Sequence, residues 1–556
     1  MSGGEERGGR RGPSRRRVLA AASLALPLAA CTGQGSRSPA TSSSEGTPAP
    51  TSSTPAPATS ARPRLGTYGV SSGHPLASRA GMDVLRDGGN AVDAAIATAF
   101  ADAVLQPASS GIGGGGAAIV VKGGATANYD YREVADASGK VPESGTGIPG
   151  FVAGMARLHE DHGTVAWPDL LAPAVALAED GAPVSRYLAD TIGAPLGRRV
   201  TRSLKHFQGA GGRPLAEGQR LVQRDLAATM RRLGAEGPDD FYRGALARQL
   251  AKVDGIDLRS LGAYRIQKGA PASGPFGDFT VLSGAPALPG AAIIQMLQIA
   301  EAAGIGDAEP GSAEFVDLQS KAWDVADRSV QTVLGDPDFV SVPVDRLTDP
   351  SENARLARSL PAQPTAGTKP YAGAPNTTHV SVVDADGTAV SMTNTITNYW
   401  GSGQYVAGFF LNDQIGRFDD IGSTDANQPE PGRRSVTWSA PSMLLDDRRR
   451  PVLVIGTPGG RYIPNTTAHV VTRWALHGQS LAQAVPADRF LLDDGRLQLE
   501  TAALREAMTQ RGYRVEVVPR ARRVDFGSTQ ALDVDWDRRT ISSHADPRRS
   551  AGYLTA

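Results

Sequence analysis

Asn376-Thr377-Thr378-His379-Val380-Ser381-Val382-Val383-Asp384-Ala385-Asp386-Gly387 is the stretch on which the fold reading turns. From His379 to Asp384 apolar and polar residues alternate, which predicts a half-buried strand. Asp386-Gly387 is a hairpin signal, and Ala389 to Thr395 returns as a second strand. Downstream, Val452 to Ile455 reads as a short apolar strand. Gly456-Thr457-Pro458-Gly459-Gly460 interrupts it, and a helix is expected from about Thr466. Upstream, His74 to Asp87 carries apolar residues at helical spacing, and Gly88-Gly89 stops that helix. Asn90 caps the next helix, with Asp93 at its third position. Ala91 to Leu105 is apolar nearly all round, so that helix is buried. The run Ser109-Ser110-Gly111-Ile112-Gly113-Gly114-Gly115-Gly116 then leads into a strand over Ala117 to Val121. Residues 150 to about 300 read mainly as helix, with Trp167 to Ala178 a clear case. Helices flanking hairpins without a βαβ rhythm point to a layered α+β sandwich.

The chain has 556 residues, with Lys plus Arg and Asp plus Glu both 57. A net charge of zero argues against a protein that binds nucleic acid by neutralising phosphates. The single cysteine, Cys31, excludes an internal disulfide framework and a Cys-cluster zinc site.

That cysteine sits in an export signal. Arg15-Arg16-Arg17 precede an apolar stretch from Val18 to Ala30, too short to span a bilayer and similar to a twin-arginine signal. Leu28-Ala29-Ala30-Cys31 resembles a bacterial lipobox, which makes Cys31 the expected lipidated residue. Residues 32–63 are mostly Ser, Thr, Pro, Ala and Gly and predict a tether that buries nothing. A folded body held by lipid on the outer face of the cytoplasmic membrane is the expected location.

Several chemistries fail on spacing. The glycines at 111–116 are followed by a strand and by no Gly-Lys-Ser/Thr, so they form neither a P-loop nor a dinucleotide fingerprint. Tight backbone packing beside a site is the reading they support. His159 and His162 lack a zincin glutamate, and a solvated helix end is expected there. Ser402 in Gly401-Ser402-Gly403 does not make a hydrolase elbow. Thr377 remains. A threonine hydroxyl is a weak nucleophile, and one way to activate it is to make the residue an N-terminus whose α-amine takes the proton. The α-amine pKa, near 7.7–8.0, suits that role. By itself, Asn-Thr-Thr at a strand start equally describes a turn or a cap.

Taken together, the blocks resemble the γ-glutamyltransferases (γ-glutamyl transpeptidases) of the amino-terminal-nucleophile hydrolase superfamily. Thr377 to Gly387 is similar to the start of their small subunit. His74 to Ser78 with Gly88 to Ala95, Ser110 to Gly116, Tyr131-Arg132-Glu133, Gly147 to Gly150, Leu411 to Gln414, Gly456 to Gly460, Gly527 to Gln530 and Asp546-Pro547-Arg548 follow in the family's order. The resemblance implies a four-layer αββα sandwich that needs no cofactor or metal. It implies cleavage between Asn376 and Thr377, leaving a large subunit (64–376) and a small one (377–556) associated in one body. Thr377 would be the nucleophile, with Thr395 bonded to it. Gly459 and Gly460 would supply oxyanion donors, and Arg132 would grip a substrate carboxylate. The substrate would be a small γ-glutamyl amide such as glutathione, with water or an amine as acceptor.

The departures from the family concern the acyl pocket. Thr397 stands where an asparagine is usual. Arg417, three residues after Gln414, replaces an aspartate that binds the substrate's free α-amine. Thr437-Trp438 replace a serine pair, Arg461 follows the glycine pair, and the stretch between Gln414 and Thr437 is short for a lid loop. Two unit charges about 4 Å apart interact by about 4 kcal/mol at an effective dielectric near 20. An inward Arg417 would therefore reject a free α-amine and favour glutaryl-type groups or an internal γ-linked glutamate. An outward Arg417 would leave glutathione acceptable. Two further readings stand beside the transferase: a glutaryl or cephalosporin-type acylase, and a non-catalytic binding lipoprotein of the same fold.

Overall fold

The structure is a computed structural model that describes residues 64–363, 376–421 and 424–556. The expected signal, Cys31 and the 32–63 tether lie outside the described residues. Residues 64–556 form one compact unit.

Two antiparallel sheets are stacked between helical layers. The first runs in the order Gly552–Thr555, Gly69–Ser72, Thr378–Val383, Ala389–Thr395, Gly115–Lys122, Ala125–Asp130, Gln267–Gly269. The second runs Thr540–Ser542, Gln530–Asp535, Pro451–Gly456, Ser442–Leu445, Phe279–Ser283, Ala272–Phe276. Helix Ala91–Leu105 packs on the central strands of the first sheet, and helices Gly290–Ala302 and Tyr462–Ala475 pack on the second. This is the expected αββα sandwich.

The capping expectation holds at Ala91–Leu105. The Asn90 side chain accepts from the Val92 and Asp93 amides, and Asp93 accepts from the Asn90 amide. The Ala91 amide also donates to Asp384 at 3.0 Å, tying the helix start to the end of strand Thr378–Val383. Every residue of this helix is buried. Helix Tyr462–Ala475 starts earlier than expected, with Arg461 between it and the glycine pair.

Strand Thr378–Val383 is buried on both faces, not half-buried. Val380 and Val382 join the core under the helices. The polar alternates lie buried between the sheets and are satisfied by hydrogen bonds rather than water. Ser381 donates to the Gln530 carbonyl at 3.1 Å, and Ser391 donates to the Ile455 carbonyl at 3.1 Å. His379 Nδ1 lies 2.8 Å from the Thr393 hydroxyl, and burial pulls its pKa down to about 3, so the ring is neutral. Alternation marked the strand, but a second sheet took the place of solvent.

His159 and His162 are half-buried and bonded within the fold, to the Val165 carbonyl and the Tyr129 hydroxyl respectively. Among the described residues no helix is long and apolar enough to cross a membrane.

Candidate active site

Strand register places Thr377. Thr378 pairs with Asn394 across the hairpin, so Thr377 and Thr395 stand side by side at its open end. On its other edge Thr395 pairs with Gly115. The glycine run allows this approach, since a Cβ on Gly114 would sit 2.1 Å from the Thr395 carbonyl oxygen. The expected tight packing is what these glycines provide.

The hydroxyls form a directed chain. Thr377 Oγ1 donates to Thr395 Oγ1 at 3.4 Å, and the Thr397 amide donates to the same oxygen at 2.7 Å. Both lone pairs of Thr395 Oγ1 are thereby used, and its proton goes to the Asn376 carbonyl oxygen at 2.8 Å. That carbonyl belongs to the peptide joining Asn376 to Thr377. Thr397, whose amide fixes Thr395, has φ 86°, a left-handed conformation that is an outlier for a β-branched residue. Its hydroxyl donates to Gln414 Oε1 at 2.7 Å, and Gln414 Nε2 donates to Ser435 Oγ at 2.9 Å.

A cavity opens beside Thr377. Thr377, Thr395, Thr397, Gln414, Arg417, Thr437, Trp438 and Gly460 line it, together with Ser439 and Ile463, which the sequence did not suggest. Its free space is about 10 Å³, roughly what one water needs. In the uncut chain a five-carbon acyl group enters only if these side chains move. Arg417 thus faces inward. It is 3 % exposed, contacts Asp420 and Asn398 at 3.4 Å, and burial lowers its pKa to about 10, which leaves it charged at neutral pH. The Trp438 indole N–H is buried and meets no acceptor among the described residues.

Gly459 and Gly460 adopt φ 130° and 55°, values that favour glycine, at the turn into helix Tyr462–Ala475. Gly460 lines the cavity and Gly459 does not. Arg461 turns away, paired with Asp327 and Asp493 at 2.5 Å each, with its guanidinium 5.8 Å from the Trp438 ring.

Arg132 stands apart from the cavity. It is fully buried, its guanidinium is held by both oxygens of Asp130 and by the Ser435 carbonyl, and it does not line the cavity. The cause is local: Asp130, two residues earlier, already supplies an anion within reach.

The sequence reading missed what holds Asn376. Its side-chain oxygen accepts from the Thr377 amide (3.0 Å), the Tyr187 hydroxyl (2.8 Å) and Arg549 Nη1 (2.9 Å). Its amide nitrogen donates to Ser109 Oγ at 2.6 Å. Arg549 directly follows the quoted Asp546-Pro547-Arg548 block, but no spacing links it to a residue 173 positions away.

The sequence signature described as Gamma-glutamyltranspeptidase matches residues 77–556. The chain belongs to the gamma-glutamyltranspeptidase family. It is 32 % identical over 491 residues to the capsule biosynthesis protein CapD proenzyme of Bacillus anthracis, covering 88 % of this chain and 90 % of that one. It is 33 % identical over 542 residues to the glutathione hydrolase proenzyme of Escherichia coli (strain K12), covering 88 % and 91 %. The fold is that of a cephalosporin acylase from Bacillus halodurans, with a TM-score of 0.80 at 24 % identity over 90 % of this chain and 98 % of that one.

Proposed function

We propose that the chain cuts itself between Asn376 and Thr377 and then hydrolyses or transfers γ-linked acyl groups through an ester on Thr377. The observation that carries this is the Thr377–Thr395–Asn376 hydroxyl chain, which sets a nucleophile beside a carbonyl already polarised by a donor. Membership of a family that includes a glutathione hydrolase proenzyme supports it. In the cut enzyme the new α-amine of Thr377 serves as base, Thr395 orients the hydroxyl, and the amides of Gly459 and Gly460 hold the oxyanion.

The acyl group is read from Arg417. A buried cation in the cavity repels an α-ammonium, and with Trp438 and Thr437 it offers donors to a carboxylate. A glutaryl-type group, or a γ-linked glutamate whose α-amine is already acylated, fits better than the free γ-glutamyl unit of glutathione. Arg132, tied to Asp130, leaves the carboxylate to Arg417. A glutaryl-type acylase is the second reading that the same residue favours. Export, lipidation at Cys31 and the 32–63 tether complete the proposal, with a small amide as substrate and water or an amine as acceptor.

The test is a denaturing gel and intact mass of residues 64–556 beside Thr377→Ala. At the chain's mean residue mass the wild type gives fragments of about 33 and 19 kDa, the smaller starting at Thr377, and the variant one band. A folded wild type that stays uncut refutes the catalytic reading and leaves a binding protein.

A further inference from the structure

The guanidinium that lines the acyl cavity is tied to a carboxylate outside it. Neither Asp413 nor Asn398 is among the cavity residues. Asp413 follows Asn412, whose side chain donates to the Gly113 and Gly147 carbonyls at 3.0 and 2.9 Å. Asp413 Oδ1 accepts from the Asn398 backbone amide at 3.0 Å, and its Oδ2 accepts from Asn398 Nδ2 at 2.6 Å. A carboxylate has only acceptors, so it takes the NH2 end of the Asn398 side chain. The carbonyl end is thereby turned to Arg417, whose Nη2 donates to Asn398 Oδ1 at 3.4 Å. Arg417 Nη1 meets Asp420 at 3.4 Å, and Asp420 is an exposed residue. The guanidinium is thus shared between a partly buried amide and an exposed acid.

We propose that Asp413 is a positioning residue for acyl selection: by orienting Asn398 it holds the Arg417 guanidinium in the cavity. This rests on the proposed function, in which Arg417 selects the acyl group. Asp413 itself touches no substrate, and its effect passes through one side-chain amide.

One proton breaks this link. Burial raises the Asp413 pKa from 3.8 to about 6, with the Asn398 N–H donors opposing the rise and Asp420 adding to it. A protonated Asp413 is itself a donor. The Asn398 amide then turns its oxygen to Asp413 and its NH2 to Arg417, which has donors only. Arg417 loses that acceptor, keeps Asp420, and is drawn toward the exposed acid. Glu133, the other acid that bears on Asp413, has its own pKa raised to about 8 by burial and stays neutral through this range. Above pH 6 the cation is therefore held in the cavity and excludes a free α-ammonium. Below pH 6 that exclusion weakens.

The test uses the cut wild-type enzyme with glutaryl p-nitroanilide and γ-glutamyl p-nitroanilide between pH 5 and 7. Released p-nitroaniline gives kcat/KM for each, and the glutaryl-to-γ-glutamyl ratio is followed. The Thr377 α-amine titrates alike for both substrates and cancels, and neither substrate changes its main charge form in this window. The ratio is expected to rise with pH around a midpoint near 6, by about tenfold, the scale of one hydrogen bond to a charged group. Where the γ-glutamyl anilide is not turned over, its Ki against the glutaryl anilide is followed instead and rises with pH. Asp413→Asn, which presents an NH2 to Asn398 at every pH, is expected to give the low ratio throughout. Asn398→Ala breaks the same link with the carboxylate retained, and gives the same low, level ratio if Asp413→Asn fails to fold or to cut. A kcat lowered equally for both anilides in Asp413→Asn, with the ratio and its pH profile unchanged, leaves Asp413 a structural role only and overturns the inference. A wild-type ratio or Ki that is level with pH also overturns it, with the proposed function intact. An Arg417→Gln ratio equal to that of the wild type, or a wild type that turns over neither anilide, overturns the underlying reading and the inference with it.

Discussion

The hydroxyl of Thr395 donates to the carbonyl oxygen of Asn376 at 2.8 Å, on the peptide that Thr377 would attack. As that carbonyl becomes tetrahedral its oxygen gains charge, and the donor is already in place. Removing one such donor typically costs 10²–10³ in rate. Thr395→Val, which keeps the shape and deletes the hydroxyl, is expected to slow self-cleavage by about that factor, and Thr395→Ser to retain most of it. Timed gels of freshly refolded protein measure this. Equal cleavage rates for Val and Thr at 395 would mean that the bond plays no part in the step.

Arg417 lines the cavity, and the proposed function gives it the choice of acyl group. Arg417→Gln removes a buried charge and keeps two polar atoms. The ratio of kcat/KM for a γ-glutamyl anilide to that for a glutaryl anilide is expected to rise by about tenfold. That is a fraction of the roughly 4 kcal/mol that two unit charges exert at this range, reduced by whatever water enters with substrate. An unchanged ratio would show that the guanidinium does not meet the α-substituent.

How far the sequence could be read follows from the range over which its signals act. The hairpin at 378–395, the cap at Asn90 and the glycine approach at 111–116 are local patterns, and each appears where the residues put it. Most of the pocket was legible too, because the blocks carrying Thr377, Thr395, Gln414, Arg417 and Thr437 converge on one cavity. The direction of Arg417 was not legible, since it depends on packing against Asn398 and Asp420. That Arg132 is bonded to Asp130 and stands outside the cavity lining was not legible from its place in the block. Arg549 and Asn376 are joined only by the tertiary fold.

The Asp-Pro-Arg block near the C-terminus has a structural task. Asp546 sits between Arg489 and Arg548, and Arg548 also pairs with Glu500. The side chains of Arg489 and Asp546 are 1 % and 0 % exposed. Asp546→Ala leaves Arg489 buried with a charge that no longer has this partner, a change that typically costs about 3–5 kcal/mol. Urea unfolding of the uncut Thr377→Ala protein with and without the substitution measures this. A loss under about 1 kcal/mol would show that Arg489 is rescued by other groups or by water.

Asp102 ties the stability of the body to pH. It is wholly buried in helix Ala91–Leu105. Its carboxyl accepts from Gln106 at 3.2 Å, and the Gly73 backbone N–H also faces it, but neither offsets the burial. Burial raises its pKa from 3.8 to about 8. Between these values the unfolded chain has released the proton and the folded chain has kept it. The unfolded state then binds fewer protons, so stability falls as pH rises, by up to about 1.4 kcal/mol per unit, and levels off above the folded pKa. Asparagine mimics the protonated form at every pH. Between pH 5 and 8 the melting temperature of Asp102→Asn should therefore fall less than that of the parent, both carrying Thr377→Ala so that cleavage does not intervene. Glu133, also raised to about 8 by burial, is common to both proteins and cancels in the comparison. Parallel melting curves across this window would mean that Asp102 is already ionised in the folded protein and paired by something its burial conceals.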